Sequence, residues 1–422
     1  MNTPSYYFAS ANSSPDHPSL SGSEEADVCV IGGGIAGCST ALNLAERGYR
    51  VVLLEAQHIG WGASGRSGGQ ALVGYASGQT KLVAALGRDD ARKLWDISVE
   101  ALDVLRDRVE RHAIECDLHW GAMQVAIKRR QREDLLVEQD EAERLYDYRK
   151  LEFLERAGIE SILDTHRYCA GLLDRGSAHL HPLNYTLGLA RAASQAGVRI
   201  FERSQVTKVT QGERAIVATA NGEVRAKFVA LCCNAYIGKL SGKLRARIMP
   251  VGTYIIATEP LGEARATQLI RKNFAVSDTN FVLDYFRRSA DHRLLFGGRV
   301  SYSGADAFNT ARATRKRMIK VFPQLADAKI EYAWGGFVDI TMSRAPDFGR
   351  LAPNIYYLQG FSGHGIALTG IAGQLVAEAI AGHAERFDVF AKLEHRDFPG
   401  GPLLRTPSLV LAMLWYRLRD WL

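Results

Sequence analysis

The chain has six cysteines in 422 residues: Cys29, Cys38, Cys116, Cys169, Cys232 and Cys233. None stands in a Cys-x-x-Cys pair, which excludes a cysteine-built metal site, and no metal is expected. Two of them fall at apolar positions of a strand and a helix, as small core residues of a reducing compartment do. The first 25 residues carry Ser and Pro and lack the apolar stretch of a secretory signal. No uninterrupted apolar run approaches the ~18 residues of a membrane span. A cytoplasmic protein with no membrane span is therefore expected. One sign of charge does not dominate. The net charge is +6, with basic and acidic residues interspersed, and no stacking motif accompanies a basic stripe, so no nucleic acid is expected as partner. At 47% hydrophobic and 23% charged the composition is globular. The length calls for about two domains.

What is present is concentrated near residue 30. Asp27 to Ile31 form a short apolar strand that runs into Gly32-Gly33-Gly34-Ile35-Ala36-Gly37. A helical stretch to Gly48 follows, then a second apolar strand from Arg50 to Leu54, Glu55 and Ala56. This strand–glycine–helix–strand order is that of a dinucleotide site. Gly32 permits the tight turn, Gly34 lets backbone approach a pyrophosphate, and Gly37 lets helix and strand pack closely. The helix start, with Ile35 and Ala36, offers N–H groups and a positive dipole end to phosphate. Glu55, 18 residues past Gly37, can accept both ribose hydroxyls and would repel a 2′-phosphate.

Two further loops extend this site. Gly62-Ala63-Ser64-Gly65-Arg66-Ser67-Gly68-Gly69-Gln70 follows the second strand directly. Its glycines allow close backbone approach, and Arg66 and Ser67 can bond phosphate or ribose. Near the C-terminus, the strand Asn354–Gln359 leads to Gly360-Phe361-Ser362-Gly363-His364-Gly365, and an apolar helix from Ile366 to Ala381 follows. A helix start there stabilises negative charge. Two such sites far apart in sequence suit a long, folded-over cofactor such as FAD. Between them, 88–113 and 131–157 read as helices, as does the stretch that follows His181-Pro182-Leu183. Arg199–Phe201, Val206–Thr210, Ala215–Thr219 and Val224–Cys232 read as strands, with Asn221-Gly222 as a turn. From Val251 to Gly336 strands dominate, interrupted by a helix at about 308–321. Leu404–Leu422 reads as an amphipathic helix that packs on the body or a membrane.

Along nearly its whole length the chain resembles the D-amino-acid-oxidase/sarcosine-oxidase superfamily of FAD-dependent amine oxidoreductases. Within it the chain is most similar to the gamma-glutamylputrescine oxidoreductases of bacterial polyamine catabolism. The residues that carry the resemblance are Ser5-Tyr6-Tyr7, Gly62 to Gln70, His179-Leu180-His181-Pro182-Leu183-Asn184, Cys233-Asn234-Ala235-Tyr236, Leu283-Asp284-Tyr285-Phe286 and Gly360 to Gly365. The resemblance implies an α/β, Rossmann-type, discontinuous FAD-binding domain (1–85, 160–240 and 337–395). It implies a mixed, mainly antiparallel α+β substrate domain (86–159 and 241–336) and a C-terminal helical tail (396–422). It also implies oxidation of an amine C–N bond, hydrolysis of the imine to aldehyde and ammonia, and oxygen or another electron acceptor as partner. The alternative is an amino-acid or imino-acid oxidase or dehydrogenase. The FAD contacts it implies include Val206, Asn234, Ser362, Gly363, His364, Gly365 and Ile366 beside those above.

Two departures refine this expectation. No cysteine follows Cys233 and the 60–70 loop has no histidine, so FAD is expected to be non-covalent. Relatives that oxidise glycine place an arginine about four residues after a Trp-x-Gly. Here Trp334-Gly335-Gly336 leads to Phe337, Val338 and Asp339. An amine without an α-carboxylate fits better. Asp339 would attract a cation, or serve as a turn or cap residue. The other candidate pocket residues are His364, Tyr254, Tyr285, Phe286 and Trp334.

Overall fold

The computed structural model describes residues 5–280, 282–301 and 307–399. The helix expected at Leu404–Leu422 lies outside the described residues. Gly22–Ile31 ends in four consecutive buried residues, Val28 to Ile31, the continuous apolar run of a strand covered on both faces. It lies inside an eight-stranded sheet whose main path runs Asp347–Ala352, Ile355–Gln359, Gly222–Leu231, Gly22–Ile31, Val51–Leu54, Arg199–Phe201. All pairings on this path are parallel except that of Asp347–Ala352 with Ile355–Gln359. Ala215–Ala218 pairs antiparallel with the first half of Gly222–Leu231, and Lys208–Thr210 pairs with it in turn. Ile31 is in register with Leu54 on one side and Leu231 on the other. The carboxyl ends of the parallel strands therefore share one edge, where open α/β sheets bind ligands.

Two helices cover this sheet and start at that edge: Ile35–Glu46 and Gly365–Ile380. They touch closely. The Ser39 hydroxyl donates to the Gly370 carbonyl at 2.7 Å, and a Cβ on Gly373 would lie 2.6 Å from the Thr40 amide nitrogen. The contact falls within about three turns of both starts, so both N-termini open on the same space.

The second sheet has nine strands, with main path Ile330–Thr341, Ile248–Thr258, Leu294–Ser301, Asp284–Arg288, Ala275–Asp278, His119–Ala126, Ala170–His179, Gln70–Ala71, and Leu151–Glu155 beside Ala170–His179. Only Ala275–Asp278 and His119–Ala126 pair in parallel. Three details depart from expectation. Gln70–Ala71 and Ala170–His179 come from segments assigned to the FAD domain, yet they pair in this sheet, because Ala170–His179 continues the ladder begun by His119–Ala126. Ile330–Thr341 pairs with Ile248–Thr258 throughout, across the boundary expected at 336/337. The helix expected over 131–157 is Arg129–Tyr146, then a strand, Leu151–Glu155, then a short helix, Arg156–Ile162. It stops because Asp147 adopts the left-handed conformation at its end, with φ 50°.

No single helix among the described residues is long and apolar enough to cross a membrane.

Candidate active site

The three glycines of the first turn each have a physical reason to be glycine. Gly32 has φ +112°, and its amide donates to the Leu54 carbonyl at 2.8 Å. A Cβ on Gly37 would stand 1.8 Å from the Gly32 carbonyl oxygen, so helix and turn could not approach. A Cβ on Gly34 would stand 2.7 Å from Ser64 Oγ, and that hydroxyl accepts from the Ile35 amide at 3.0 Å. The helix start is thus held by a side chain of the next loop. Gly33, which the motif does not mark, is also crowded: its Cβ would meet Ile59 at 2.6 Å and Glu55 at 3.0 Å. Glu55 accepts from Gly33 at 2.6 Å and Gln57 at 2.8 Å. Burial pushes its carboxyl up, and the Gln57 and Gly33 amides pull it down. Each oxygen keeps a lone pair for a further donor.

The loop after the second strand divides into two parts. Gly62, Ala63, Ser64, Ser67, Gly68, Gly69 and Gln70 line one cavity with Gly32, Gly34, Ile35, Ala36, Glu55, Ala56 and Val206. Arg66 points elsewhere: its Nε donates to the Trp61 carbonyl at 3.0 Å and its Nη1 to Gly335 at 3.4 Å. It ties the loop to the second sheet instead of reaching for phosphate. Trp334, expected in the pocket, completes that tie. Its indole N–H donates to the Arg66 carbonyl at 3.0 Å, and its ring, 1% exposed, packs edge-on against Tyr7 at 5.3 Å. Tyr254 lies against Gly335, whose Cβ would approach its ring to 3.0 Å. Neither Trp334 nor Tyr254 is among the lining residues described for the cavity. Tyr285 does line it, its ring against Gly68 and Gly297. Phe286, one residue on, turns to the other face, as strand alternation requires. It is buried against Phe296 and Phe322.

The second glycine loop hangs from Asp339. This carboxylate, 1% exposed, accepts from the Gly360 amide and the Asn234 side chain. The Asp339 carbonyl accepts from the Ser362 amide at 3.0 Å. Burial raises the carboxyl to about 6, with the Gly360 and Asn234 donors opposing. Asp339 lines the cavity, but its oxygens are engaged with the loop, so it positions Gly360 to Ser362. Gly360 itself has φ +79° and sits over Thr341 and Asp347. His364 is the N-cap residue of Gly365–Ile380 and lines the cavity with Ser362, Gly363, Gly365 and Ile366. Burial, then the charge of Arg344, lowers its imidazole to about 4, so it is neutral at pH 7. Arg344, φ +61° and also in the wall, had no sequence signal.

The cavity has a volume of about 1600 Å³, above the ~300–1,000 Å³ of ordinary ligand pockets, so it has room for a large cofactor and a substrate together. Four buried polar atoms in its wall have no protein partner: Ser67 Oγ, Asn234 Oδ1, Thr279 Oγ1 and His364 Nδ1. Two helix starts, a glycine cradle and these unpaired atoms fit a dinucleotide, whose pyrophosphate Gly34 would receive. Cys232 and Cys233 are also in the wall. Burial pushes both thiols up, Cys232 to about 12, so neither is a ready nucleophile.

The cavity continues into the second sheet, past Gln124, Ser277 and Asp278, to the helix Arg129–Tyr146. That helix turns Asp134, Glu138 and Glu141 to the cavity at three- and four-residue spacing. Trp95, Tyr146, Tyr148 and Asp174 stand nearby in the wall. Glu138 is exposed to this space, yet surrounding protein pushes its carboxyl up. Among the described lining residues are seven carboxylates (Glu55, Asp134, Glu138, Glu141, Asp174, Asp278, Asp339) and two cations (Lys239, Arg344). This inverts the protein's net charge of +6. Only Glu55 and Asp339 were anticipated. The others come from helix and strand positions with no motif, which only the fold brings together. No group of three or more His, Cys, Asp or Glu among the described residues could hold a metal ion.

Comparison with known proteins agrees with this geometry. Residues 27–379 match the family model DAO, described as FAD dependent oxidoreductase. The chain is 45% identical over 419 residues to gamma-glutamylputrescine oxidoreductase of Escherichia coli (strain K12), covering 99% of this chain and 98% of that one. It is 41% identical to the probable oxidoreductase OrdL of Haemophilus influenzae, covering 99% and 97%. Among solved structures, glycine oxidase from Geobacillus kaustophilus superposes with a TM-score of 0.72 at 18% identity, covering 85% of this chain and 95% of that one. L-amino acid deaminase from Proteus vulgaris superposes at 0.74 and 16% identity, covering 90% and 99%. These superpositions share the two-part fold built around the nucleotide sheet. The chain belongs to the DAO family of FAD-dependent oxidoreductases.

Proposed function

We propose that this enzyme oxidises the C–N bond of a cationic amine, a gamma-glutamylated polyamine such as gamma-glutamylputrescine. The observation that carries this reading is the excess of carboxylates over cations in the cavity wall. An excess of carboxylates favours a substrate of net positive charge: gamma-glutamylputrescine, with two ammonium groups and one carboxylate, is a net cation, whereas a simple amino acid is a neutral zwitterion. The similarity to a gamma-glutamylputrescine oxidoreductase over 99% of the chain supports the same choice.

FAD, bound without a covalent link, supplies the two-electron acceptor. Gly32, Gly34, Ile35 and Ala36 would hold its pyrophosphate end, Glu55 its ribose, and the loops at Ser67–Gly69 and Ser362–Ile366 its ring end. The chain's own residues do the rest. The acidic arm along Arg129–Tyr146 binds the cationic and polar parts of the amine. Tyr285 and Gly68 shape the space beside the ring. His364, neutral at pH 7, accepts or donates a hydrogen bond through its unpaired Nδ1 without adding charge. The apolar wall, which includes Phe361 and Ile366, keeps the reacting nitrogen dry and so favours its neutral form. Loss of hydride from the carbon beside that nitrogen gives an imine, and water converts it to aldehyde and ammonia. Oxygen or another acceptor takes the electrons onward. In this reading the segments 1–85, 160–240 and 337–395 hold the cofactor, apart from the strands that floor the substrate cavity. The six cysteines are free thiols, and a cytoplasmic location belongs to the same reading.

Anaerobic addition of gamma-glutamylputrescine to the yellow holoenzyme should bleach the flavin and release one aldehyde and one ammonia per FAD. Admission of air then tests for hydrogen peroxide. An enzyme that stays yellow with this amine refutes the proposed substrate.

A further inference from the structure

Arg287 is 4% exposed and lies in the strand Asp284–Arg288, two residues from Tyr285 and on the same face. Its guanidinium is held by neutral acceptors. Nε donates to the Gly68 carbonyl at 2.9 Å, Nη2 to the Leu180 carbonyl at 2.8 Å and to the Tyr7 hydroxyl at 3.0 Å, and Nη1 to the Arg288 carbonyl at 3.1 Å. A Cβ on Gly69 would lie 2.9 Å from Nη2, so only the thickness of the glycine loop separates the charge from the cavity lined by Gly68 and Gly69. Among the described residues no carboxylate lies within ion-pair distance of it. The histidines that feel its field are His179 and His181, which are buried, and His119, which is exposed; all are shifted toward the neutral form.

A buried cation without a counter-charge is costly unless something compensates it. Backbone carbonyls do so in part. The remaining complement is an anion on the other side of the loop. Two-electron reduction of a flavin with uptake of one proton leaves one negative charge, and the loop Gly68–Gly69 faces the space where the ring fits. We propose that Arg287 is a positioning residue whose unbalanced charge, held behind Gly68 and Gly69, raises the reduction potential of the bound flavin. This rests on the FAD-binding reading of the cavity and not on the choice of amine, so failure of the amine test leaves it standing.

Spectroelectrochemical titration of the holoenzyme with a redox dye needs no substrate and tests it. In Arg287→Met the ratio of reduced to oxidised flavin at fixed potential should fall tenfold or more, a lowering of about 30 mV for a two-electron couple. Arg287→Lys keeps the charge but loses the fork. Its melting temperature and apoenzyme affinity for FAD should fall while its potential stays within about 30 mV of the parent, the same tenfold criterion. A Met variant at the parent potential, or a Lys variant lowered as far as Met, would overturn the proposal. If the Met variant does not retain flavin, Tyr7→Phe decides. It removes one acceptor and leaves the charge, so the potential should equal or exceed the parent's, and a lowered one overturns the proposal.

Discussion

The two glycine loops at the cofactor end look alike in sequence and differ in kind. In the first, side chains are excluded by contact: an added Cβ would strike backbone at Gly32 and Gly37 and a hydroxyl at Gly34. In the second, only Gly360 is crowded, its Cβ 2.6 Å from Thr341; Gly363 has nothing within 4 Å and Gly365 has only ordinary contacts, while Gly360 and Gly363 carry φ +79° and +98°. The first loop is a cradle cut to shape. The second is a backbone path, tethered by Asp339, that delivers a helix start and His364. Glycine at Gly37 reports close approach and at Gly363 a conformation, and substitution separates the two.

The largest effect belongs to Gly37→Ala. Its methyl would meet the Gly32 carbonyl at 1.8 Å, where neither partner is a flexible side chain. Overpacking of this kind costs about 3 kcal/mol or more, so the melting temperature should drop sharply and FAD uptake should fail. Gly34→Val comes next, with a different signature. Ser64 can swing away from the new side chain, so thermal stability of the apoenzyme should change by about 1 kcal/mol or less, while FAD binding is lost. Normal FAD occupancy in that variant would remove Gly34 from the cofactor site.

His364 probes the second loop by pH. Its imidazole is lowered from an ordinary value near 6.5 to about 4, so the unfolded chain takes up the proton first as pH falls. The stability it contributes is full above about pH 6.5 and is lost as pH drops toward 4. The parent should therefore lose more stability between pH 7 and pH 5 than His364→Gln, measured by denaturant midpoints. Equal losses would mean that His364 is not held neutral. The smallest effect is expected of Gly365→Ala. The methyl meets Phe361 at 3.6 Å, and alanine favours a helix by up to ~1 kcal/mol, so the melting temperature of the apoenzyme should hold or improve slightly.

The cofactor end was legible in the sequence because dinucleotide binding imposes local constraints. A strand, a turn that only glycine makes, a helix and an acid must follow in order, and Gly32 to Glu55 stand in that order. The family motifs then led to Tyr285, Asn234 and His364, all in the cavity wall. Residue type alone misled for Trp334, Tyr254 and Arg66. Each is aromatic or cationic near the site, but Trp334 and Arg66 face the packing between loop and sheet, and Tyr254 lies against Gly335 of the neighbouring strand. Asp339 was read as a possible lure for cations, and its amide partners make it a tether. The acidic arm was illegible for a plainer reason. Asp134, Glu138 and Glu141 resemble any solvated helix face, and only the packing of Arg129–Tyr146 over the second sheet sets that exposed face beside the cavity.

A cavity rich in carboxylates should select a net-cationic amine over a simple zwitterionic amino acid. The most direct measurement is the stopped-flow rate of anaerobic flavin reduction by gamma-glutamylputrescine and putrescine, set against glycine, sarcosine, proline and D-alanine at equal concentration. Reduction should be fastest with gamma-glutamylputrescine, with little or none by the four simple amino acids. Faster reduction by any of those four than by both amines would contradict it.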